Sequence, residues 1–389
     1  MNSVELFAGG GGLAIGLQNI GFKHKAIIEF NKDACNTLLK NSVATPETLY
    51  HGDVCRYEYS NLSLNNIDLV SGGPPCQPFS LAGNHKGLND GRDMFPEAVR
   101  AIRELRPKAF IFENVKGLLR KSFAEYFEYI LLQLQHPSIE KESNDTWLDH
   151  LAKLEQHHTH KNRPDLEYKV VFRLLNCADY GAPQKRERVF IVGFRHDIDA
   201  GWSFPKKTHS EDSLLWSKHI TGNYWKEHKI MDPLPPEQRT KIEKKLISKF
   251  GMFPPTEKPW RTVRDAIANL PDPHSNSNKF TNHEFKSGAR SYPGHTGSYI
   301  DEPSKTLKAG AHGVPGGENM IRYEDGSVRY FTVRESARIQ TFPDSYFFEG
   351  AWGESMRQLG NAVPVCLAEA VGSSVKQALF DQALPTKFS

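Results

Sequence analysis

Residues 5–17 read ELFAGGGGLAIGL, and this stretch decides the fold. Its apolar start predicts a buried strand, the run of glycines predicts a tight turn, and the apolar spacing that follows predicts a helix. Glycines at such a turn let backbone amides approach a ligand at the N-terminus of the helix. The stretch therefore predicts a nucleotide-type binding element. The alternative is a turn that only packs the helix against the strand.

The same alternation of strand and helix continues along the first half of the chain. Predicted strands cover 3–7, 25–30, 67–71, 108–113, 168–175 and 188–194, and predicted helices cover 13–20, 32–41, 95–105, 122–135 and 146–157. Alternation with almost unbroken apolar strands indicates an α/β fold, in which helices cover both faces of a parallel sheet. In such a sheet, ligands bind beyond the carboxyl ends of the strands.

Acidic residues at these strand ends are candidate contacts for a nucleotide. Glu29 closes the second strand, at the distance from the glycine turn where a carboxylate accepts from both ribose hydroxyls. Asp53 follows a weak third strand and can accept from an adenine amino group. These features suit a dinucleotide and S-adenosylmethionine equally well.

The amino-acid composition of the sequence changes near residue 196. From 196 to 328 the chain is rich in Pro, Lys, His, Ser and Asn, which predicts a second, irregular domain. Patterned structure returns at 329–342, and a last helix is predicted over 364–380. The stretch 136–166, with clustered charges, is interpreted as a solvated insertion.

Composition limits the classes of protein and of site. The 389 residues carry a formal net charge of +3, which neither supports nor excludes a nucleic-acid partner, because a basic groove can form on a near-neutral protein. The scattered cysteines argue against a zinc site and a disulfide framework. His157, His158 and His160 lack acidic or cysteine partners, so we expect no metal site. No membrane span or signal peptide is recognisable, and we expect a cytoplasmic protein.

Residues 72–83 read GGPPCQPFSLAG and place Cys76 in a loop of glycines and prolines. Such a loop is rigid and presents one side chain. A free cysteine is more often a small buried hydrophobe, so its neighbours decide its role. The chain supplies Glu113 at a neighbouring strand end, and Arg186 and Arg188 just before another strand. A thiolate, a carboxyl and a guanidinium around one cleft suit a ring with a nitrogen to protonate and a carbonyl to hold, such as a pyrimidine.

With these motifs in order, the whole chain resembles the cytosine-C5 DNA methyltransferases. The resemblance rests on FAGGG (7–11), GPPCQPFS (73–80), GRDMFPEAVRAIRELRPK (91–108), ENV (113–115), QKRER (184–188), RYFTVRESARIQTFPD (329–344) and QLGNAVP (358–364). A lone glycine motif is a weak signal, but this ordered combination is highly specific. The resemblance implies the Rossmann-like sheet of an S-adenosylmethionine-dependent methyltransferase with a second, smaller and irregular target-recognition domain.

The resemblance also implies a role for each catalytic residue. Cys76 would attack C6 of a cytosine, and Glu113 would hold N3 and the amino group of the base. C5 would then take the methyl group of the cofactor, and loss of the C5 proton would expel Cys76. Arg188 would hold O2 of the base, and Arg186 would support the substrate or its phosphate.

The cofactor contacts implied by the resemblance come from both ends of the chain. They are Phe7, Gly9, Gly11, Glu29, Asp53, Met94, Asn361 and Ala362, with Pro74 shaping the floor of the site. The catalytic domain would therefore combine 1–195 with 329–389, and the target-recognition domain would be 196–328. The helix that follows GNAVP would return next to the first motif.

The substrate implied by the resemblance is double-stranded DNA. A base inside a duplex cannot reach such a cleft, so the cytosine would be flipped out of the helix, with residues 80–93 as a closing lid. The stretch 301–317 has the glycines of a structured recognition segment. We expect a monomer, with a cognate restriction endonuclease as a functional and not a physical partner.

Three alternative functions can be weighed on the sequence alone. A tRNA cytosine methyltransferase would keep the chemistry and change the polymer, because a fold alone does not determine the substrate. A non-catalytic DNA-binding relative has no support, since every proposed catalytic residue is present. An NAD-dependent oxidoreductase is compatible with the glycine turn, but nothing else in the chain supplies a hydride site.

The nucleophile can be tested by Cys76→Ser. Because the hydroxyl is a far weaker nucleophile than a thiolate, we expect the variant to lose methyl transfer while it still binds the cofactor. Single-turnover methyl transfer and cofactor binding measure the two properties separately. Equal turnover by the variant and the wild type would remove Cys76 from the mechanism.

Overall fold

A seven-stranded sheet forms the centre of the computed structural model, which describes residues 1–62, 66–75, 93–160, 165–198, 201–275, 279–310 and 319–383. Its strands are β1 Asn2–Leu6, β2 Lys23–Glu29, β3 Leu49–His51, β4 Leu69–Gly72, β5 Ala109–Val115, β6 Tyr168–Asn176 and β7 Glu187–Arg195. They hydrogen-bond in the order β3-β2-β1-β4-β5-β7-β6. The predicted strands, including the weak third one, are all present.

Helices cover both faces of this sheet. The helices along the chain are α1 Gly12–Asn19, α2 Lys32–Lys40, α3 Phe95–Leu105, α4 Ala124–Gln135, α5 Trp147–His160, α6 Glu211–His219, α7 Asn223–His228, α8 Pro236–Phe250, α9 Val263–Ile267, α10 Val333–Ile339, α11 Trp352–Asn361 and α12 Val365–Ala383. Successive strand residues point to opposite faces. Phe110 and Phe112 of β5 pack with α3 and α4, whereas Ala109 and Ile111 pack with α1 and α12. The α/β class, with a sheet buried on both sides, is confirmed.

One strand runs against the predicted direction. β7 is antiparallel to both of its neighbours, β5 and β6, and the other pairings of this sheet are parallel. The expectation of an entirely parallel sheet is therefore wrong. The physical reason is the short connection from Asn176 to Glu187, since a parallel crossover needs about a dozen residues or more.

The stretch 136–166 is less solvated than expected. It contains helix α5, and Leu151 and Leu154 of that helix are buried in the cluster that also contains residues of α3 and α4. His150 is buried as well, with Tyr129 Oη 2.8 Å from its Nδ1. The segment is thus an amphipathic addition to one face of the sheet.

The second half of the chain forms a smaller unit with short elements. Its strands are β8 His209–Ser210, β9 Lys258–Pro259, β10 Ser298–Tyr299, β11 Met320–Arg322 and β12 Val328–Tyr330. The last three form one small sheet and the first two pair with each other. A small apolar cluster joins Val263 and Leu307 to Phe331 and Ile339, so this unit packs on the segment that follows it. The domain limits at 195/196 and 328/329 stay a prediction.

The end of the chain returns to its beginning. α12 packs along α1, and two glycines of α1 make this close approach feasible. A Cβ on Gly12 would lie 2.2 Å from the Val363 carbonyl oxygen, and a Cβ on Gly16 would lie 2.5 Å from the Ala368 Cβ. The two ends of the chain therefore pack against each other through backbone contacts.

Helix length and apolarity also bear on membranes. Within the described ranges, no helix combines the length and the apolar character that a bilayer crossing requires.

Candidate active site

A cavity of about 710 Å³ lies at the carboxyl ends of β1, β2, β4 and β5. This is the edge at which α/β sheets bind their ligands. The residues predicted from sequence that line it are Phe7, Gly9, Glu29, Asp53, Pro74, Met94, Glu113, Arg188, Asn361 and Ala362. The structure thus brings together residues from both ends and from the middle of the chain.

The tight turn predicted after β1 is present, and it holds residues in the left-handed backbone region. Phe7 and Gly9 both have a φ of 54°, a conformation that is costly for a bulky side chain such as Phe7. Gly9 N–H donates to Glu29 Oε2 at 2.7 Å, which ties the turn to the end of β2. Backbone strain of this kind is found at ligand sites.

Gly11 differs from the expectation of a cofactor contact. It is absent from the cavity wall among the described residues and forms the N-cap of α1, with a φ of 84°. A Cβ at this position would lie 2.6 Å from the Tyr346 hydroxyl oxygen and 2.8 Å from Leu38 Cδ2. The glycine is therefore required by backbone conformation and by packing under the turn.

Glu29 is held in place by two backbone amides. Its Oε2 accepts from Gly9 N–H and its Oε1 accepts from Asn31 N–H, each at 2.7 Å. A carboxylate has about four acceptor positions. The unused positions are available to the two hydroxyls of a ribose, which is the role predicted for this residue.

Asp53 is an anion at the rim of the cavity. It caps the short 3-10 helix Val54–Arg56, and its Oδ1 accepts from Cys55 N–H at 3.0 Å. This backbone hydrogen bond holds the pKa of Asp53 below its usual value. A fixed carboxylate can accept from an amino group, as the sequence predicted.

Glu113 and Arg188 form a close ion pair in the cavity wall. Glu113 lies near the end of β5 and Arg188 near the start of the antiparallel β7, with Arg188 Nε 2.7 Å from Glu113 Oε1. Burial raises the pKa of Glu113, and the charge of Arg188 opposes that rise. The Nε–H does not point at Oε1, so this buried oxygen has no aligned donor among the described residues. The carboxyl can therefore take a proton and donate it.

The loop that leads to Cys76 is fastened beside this pair. Asn114 Nδ2 donates to the Pro74 carbonyl at 3.0 Å, which joins the end of β5 to the residue before Pro75. A Cβ on Gly73 would lie 3.3 Å from Glu113 Oε2. Pro75 lines the cavity, and Cys76 itself lies outside the described residues, as do residues 80–92 of the predicted lid.

Arg186 does not reach the cavity. It is 0% exposed, and its guanidinium donates to the carbonyls of Leu307, Gly360 and Ala362 at 3.0, 2.7 and 3.0 Å. The resemblance implied that Arg186 supports the substrate or its phosphate, whereas its guanidinium is directed at main-chain carbonyls behind the cavity. Because Arg186 precedes β7, strand alternation does not direct its side chain to the same place as that of Arg188.

Sequence reasoning missed two charged residues of the cavity wall, Glu5 and Arg357. Glu5 lines the cavity from within β1, and the Ser71 hydroxyl donates a short hydrogen bond to its Oε2. Arg357 of α11 also lines the cavity and pairs with Glu354. An acid inside an otherwise apolar strand was the available signal for Glu5. No local pattern distinguished Arg357 from a surface arginine.

The histidines of the segment 136–166 are close together without forming a recognised metal site. His136 Nε2 lies 3.0 Å from His158 Nδ1, and burial lowers the pKa of His136. Among the described residues, no group of His, Cys, Asp or Glu has an arrangement that could hold a metal ion.

The comparisons with known proteins agree with the geometry. The family model described as C-5 cytosine-specific DNA methylase matches residues 1–137 and 148–377. A type II methyltransferase of Psychrobacter, M.PspPI, is 32% identical over 382 residues, which are 97% of this chain and 79% of that protein. M.Eco47II of Escherichia coli is 34% identical over 385 residues, with the same coverage of 97% and 79%. M.NgoMIV of Neisseria gonorrhoeae is 30% identical and covered over 97% of both chains.

Solved structures share the fold at lower identity. A putative DNA modification methyltransferase from an E. coli prophage has a TM-score of 0.58 at 19% identity and is matched over 98% of this chain and 99% of its own. The S. pombe Dnmt2 methyltransferase has a TM-score of 0.55 at 16% identity, with 97% and 98% coverage. These likenesses support the overall architecture.

The titration of Glu5 can be tested by Glu5→Gln. Burial raises the pKa of Glu5 from 4.5 to about 8, so the folded protein keeps a proton that the unfolded chain releases within this window. The free energy of unfolding of the wild type therefore falls as the pH rises from 4.5 towards 8. The glutamine keeps the shape and removes the titration. We expect the stability of the variant relative to the wild type to rise with pH across the window.

Urea unfolding of both proteins at a series of pH values measures this difference. The titration of all other groups cancels in the comparison, because they are common to both proteins. A stability difference that stays constant with pH would show that Glu5 has an ordinary pKa in the folded protein.

Proposed function

Because the chain belongs to the C-5 cytosine-specific DNA methylase family, we propose that it methylates C5 of a cytosine within a specific short sequence of double-stranded DNA, with S-adenosylmethionine as the methyl donor. The observation that carries the proposal is the pairing of Glu113 and Arg188 in the wall of one cavity with the glycine turn. The type II names of the relatives support a role in restriction–modification. We further propose that the protein acts as a monomer, with a cognate endonuclease as its functional partner.

The chemistry of the cavity fits the proposed cofactor. S-adenosylmethionine supplies an electrophilic methyl group on a positively charged sulfur when it is bound. Glu29 has free acceptor positions for ribose hydroxyls, and Asp53 offers a fixed carboxylate for the adenine amino group. Phe7, Met94 and Ala362 provide apolar surface for the rest of the molecule.

Glu113 is suited to protonate the ring nitrogen of a cytosine. A buried carboxyl with a raised pKa keeps its proton to a higher pH than an exposed one, and Arg188 limits that rise. Transfer of the proton towards N3 withdraws electrons from C6, which favours addition of a thiolate there. Arg188, adjacent to the carboxyl, has guanidinium N–H groups that can hold the O2 of the base.

Cys76 is the proposed nucleophile, since it follows Pro75 at the cavity wall. The Sγ–C6 bond forms, and the electron pair of the C5–C6 double bond makes C5 nucleophilic. C5 would then take the methyl group, whose bond to the sulfonium sulfur breaks and leaves a neutral thioether. Loss of the C5 proton to solvent lets the Sγ–C6 bond break and releases the thiolate, and N3 returns its proton to Glu113, which restores the aromatic ring.

DNA must deform for this chemistry to occur. The base edges that react are inside the stack, so the cytosine has to be rotated out of the duplex into the cavity. We propose that residues 196–328 read the target sequence while the catalytic unit holds the flipped base. A tRNA substrate is the alternative that would keep the same residues in the same roles.

The activity can be mapped directly. We expect expression of this chain in a host that lacks 5-methylcytosine to place this mark in one short sequence of a resident plasmid. Base-resolution sequencing of the plasmid, with and without expression, measures it. A plasmid without marks, together with protein that binds S-adenosylmethionine, would contradict the proposed substrate and direct the search to RNA.

The acid can be tested by Glu113→Gln. The amide cannot donate a titratable proton to N3, so we expect the rate of methyl transfer to fall by about 10²–10⁴. Glu187→Gln is the matched control, because Glu187 neighbours Arg188 on β7 and pairs with the exposed Lys116. Single-turnover transfer to the mapped duplex measures both variants. A near-normal rate for Glu113→Gln would exclude Glu113 as the acid.

A further inference from the structure

Residues 304–309 of the smaller unit lie directly against residues 183–186, which precede β7. Lys185 N–H donates to the Ser304 carbonyl at 2.8 Å, and Ser304 N–H donates to the Pro183 carbonyl at 2.9 Å. The Thr306 hydroxyl donates to the Lys185 carbonyl at 2.9 Å. The segment 304–309 therefore runs beside 183–186 as an added, short parallel pairing.

The other side of this segment touches the turn that walls the cofactor cavity. A Cβ on Gly360 would lie 2.3 Å from Ala309 N and 2.5 Å from the Lys308 carbonyl carbon. Glycine at 360 is thus required by the backbone contact. Since Asn361 and Ala362 line the cavity, the segment 304–309 is packed against the back of its wall.

Three fully buried polar side chains, Gln184, Arg186 and Gln340, lie at this junction and are each 0% exposed. Gln184 Oε1 accepts from Leu307 N–H at 2.9 Å, and Gln184 Nε2 donates to Gln340 Oε1 at 3.1 Å. Gln340 Nε2 donates in turn to the Leu359 carbonyl at 2.5 Å. A continuous chain of hydrogen bonds therefore runs from 307 to 359.

Arg186 joins the same two segments with a charged group. It donates to Leu307 on one side and to Gly360 and Ala362 on the other. Within the described residues its hydrogen-bond acceptors are main-chain carbonyls, and burial lowers its pKa to about 9, so the group is still charged at neutral pH. If either segment moved away, a buried charge would lose acceptors that water cannot replace, which is costly.

The segment 304–309 continues into the proposed DNA-reading unit, and the turn 359–362 walls the cofactor cavity. On one side, Asn319 grips the end of 304–309, since its Oδ1 accepts from Lys308 N–H and its Nδ2 donates to the Lys308 carbonyl. On the other side, Asn361 and Ala362 face the cofactor cavity. The junction thus connects the proposed DNA-reading unit to the proposed cofactor wall through side chains that are fully buried.

We propose that Gln184, Arg186 and Gln340 are positioning residues that couple DNA binding to cofactor binding. This inference rests on the proposed function. DNA that orders the segment 304–309 stabilises the position of the turn 359–362, and the cofactor that orders this turn stabilises the same position of the segment. Each ligand therefore raises the affinity of the protein for the other by the same factor.

The test is a pair of binding constants for S-adenosylhomocysteine, measured by calorimetry with and without a duplex of the mapped sequence. The ratio of the two constants is the coupling factor. For the wild type we expect a factor of roughly 5–150, the usual range for coupled sites. For Arg186→Lys, which keeps the charge and loses the planar fork, we expect a factor within about twofold of one.

Two further variants keep the result interpretable. Gln340→Met breaks the chain of hydrogen bonds and leaves the charge of Arg186 in place. If Arg186→Lys does not fold, the coupling factor of Gln340→Met tests the proposal in its place. Arg334→Lys is the matched control, because Arg334 is also 0% exposed but donates to Thr281, Pro343 and Tyr346. We expect this control to lose stability and to keep the wild-type coupling factor.

The outcomes separate the two proposals. Variants that keep the wild-type factor, or a wild type with a factor of one, would overturn the coupling and leave the methyltransferase activity standing. If Arg334→Lys lost coupling to the same extent, the coupling proposal would also be overturned. The loss would then follow from changing any buried arginine and not from this junction. Wild-type protein that binds S-adenosylhomocysteine but marks no DNA would overturn the proposed function, and the coupling to DNA with it.

Discussion

The backbone contact between the start of α1 and the turn before α12 is the constraint on which the site depends. A Cβ at Gly12 would lie 2.2 Å from the Val363 carbonyl oxygen, so only glycine allows this approach. It brings the turn with Asn361 and Ala362 to the glycine turn after β1, and the cavity forms between them. The smaller unit with strands β8 to β12 is consequently an excursion from a unit whose two ends are already joined.

The acids around the cavity are divided by their surroundings into donors and acceptors. Burial raises the pKa of Glu5 and of Glu113, whereas a backbone amide lowers that of Asp53. Groups whose environments separate their pKa values take different chemical roles. Asp53 at the rim stays an anion and can accept hydrogen bonds. Burial raises the pKa of Glu113 and the charge of Arg188 opposes that rise, so its carboxyl is suited to exchange a proton with a base. One cavity thus combines recognition and acid catalysis without a metal ligand in the proposed mechanism.

Much of the fold could be predicted because strands and helices follow local patterns. Every predicted strand of the central sheet is present, and helix α3 has the predicted limits of 95 and 105. The antiparallel direction of β7 follows from the short connection that precedes it. A prediction made from the strand patterns alone does not take the length of that connection into account. The positions of the site residues were predicted less completely than the strands and helices. Motifs identify which residues approach an edge of the sheet, but side-chain direction depends on tertiary packing. Gly11 and Arg186 therefore pack beneath the site, and the buried Glu5 was overlooked.

Arg186 and Arg188 belong to one short motif but occupy two different places in the fold. Arg188 lies within β7 and its pairing opposite Val115 directs it to Glu113 and the cavity. Arg186 lies just before the strand, where the chain is free to send its side chain under the turn 359–362. A guanidinium suits both places, because its planar fork matches one carboxylate or several carbonyls. The same arginine motif therefore contacts Glu113, the proposed acid, through Arg188 and the unit proposed to read DNA through Arg186.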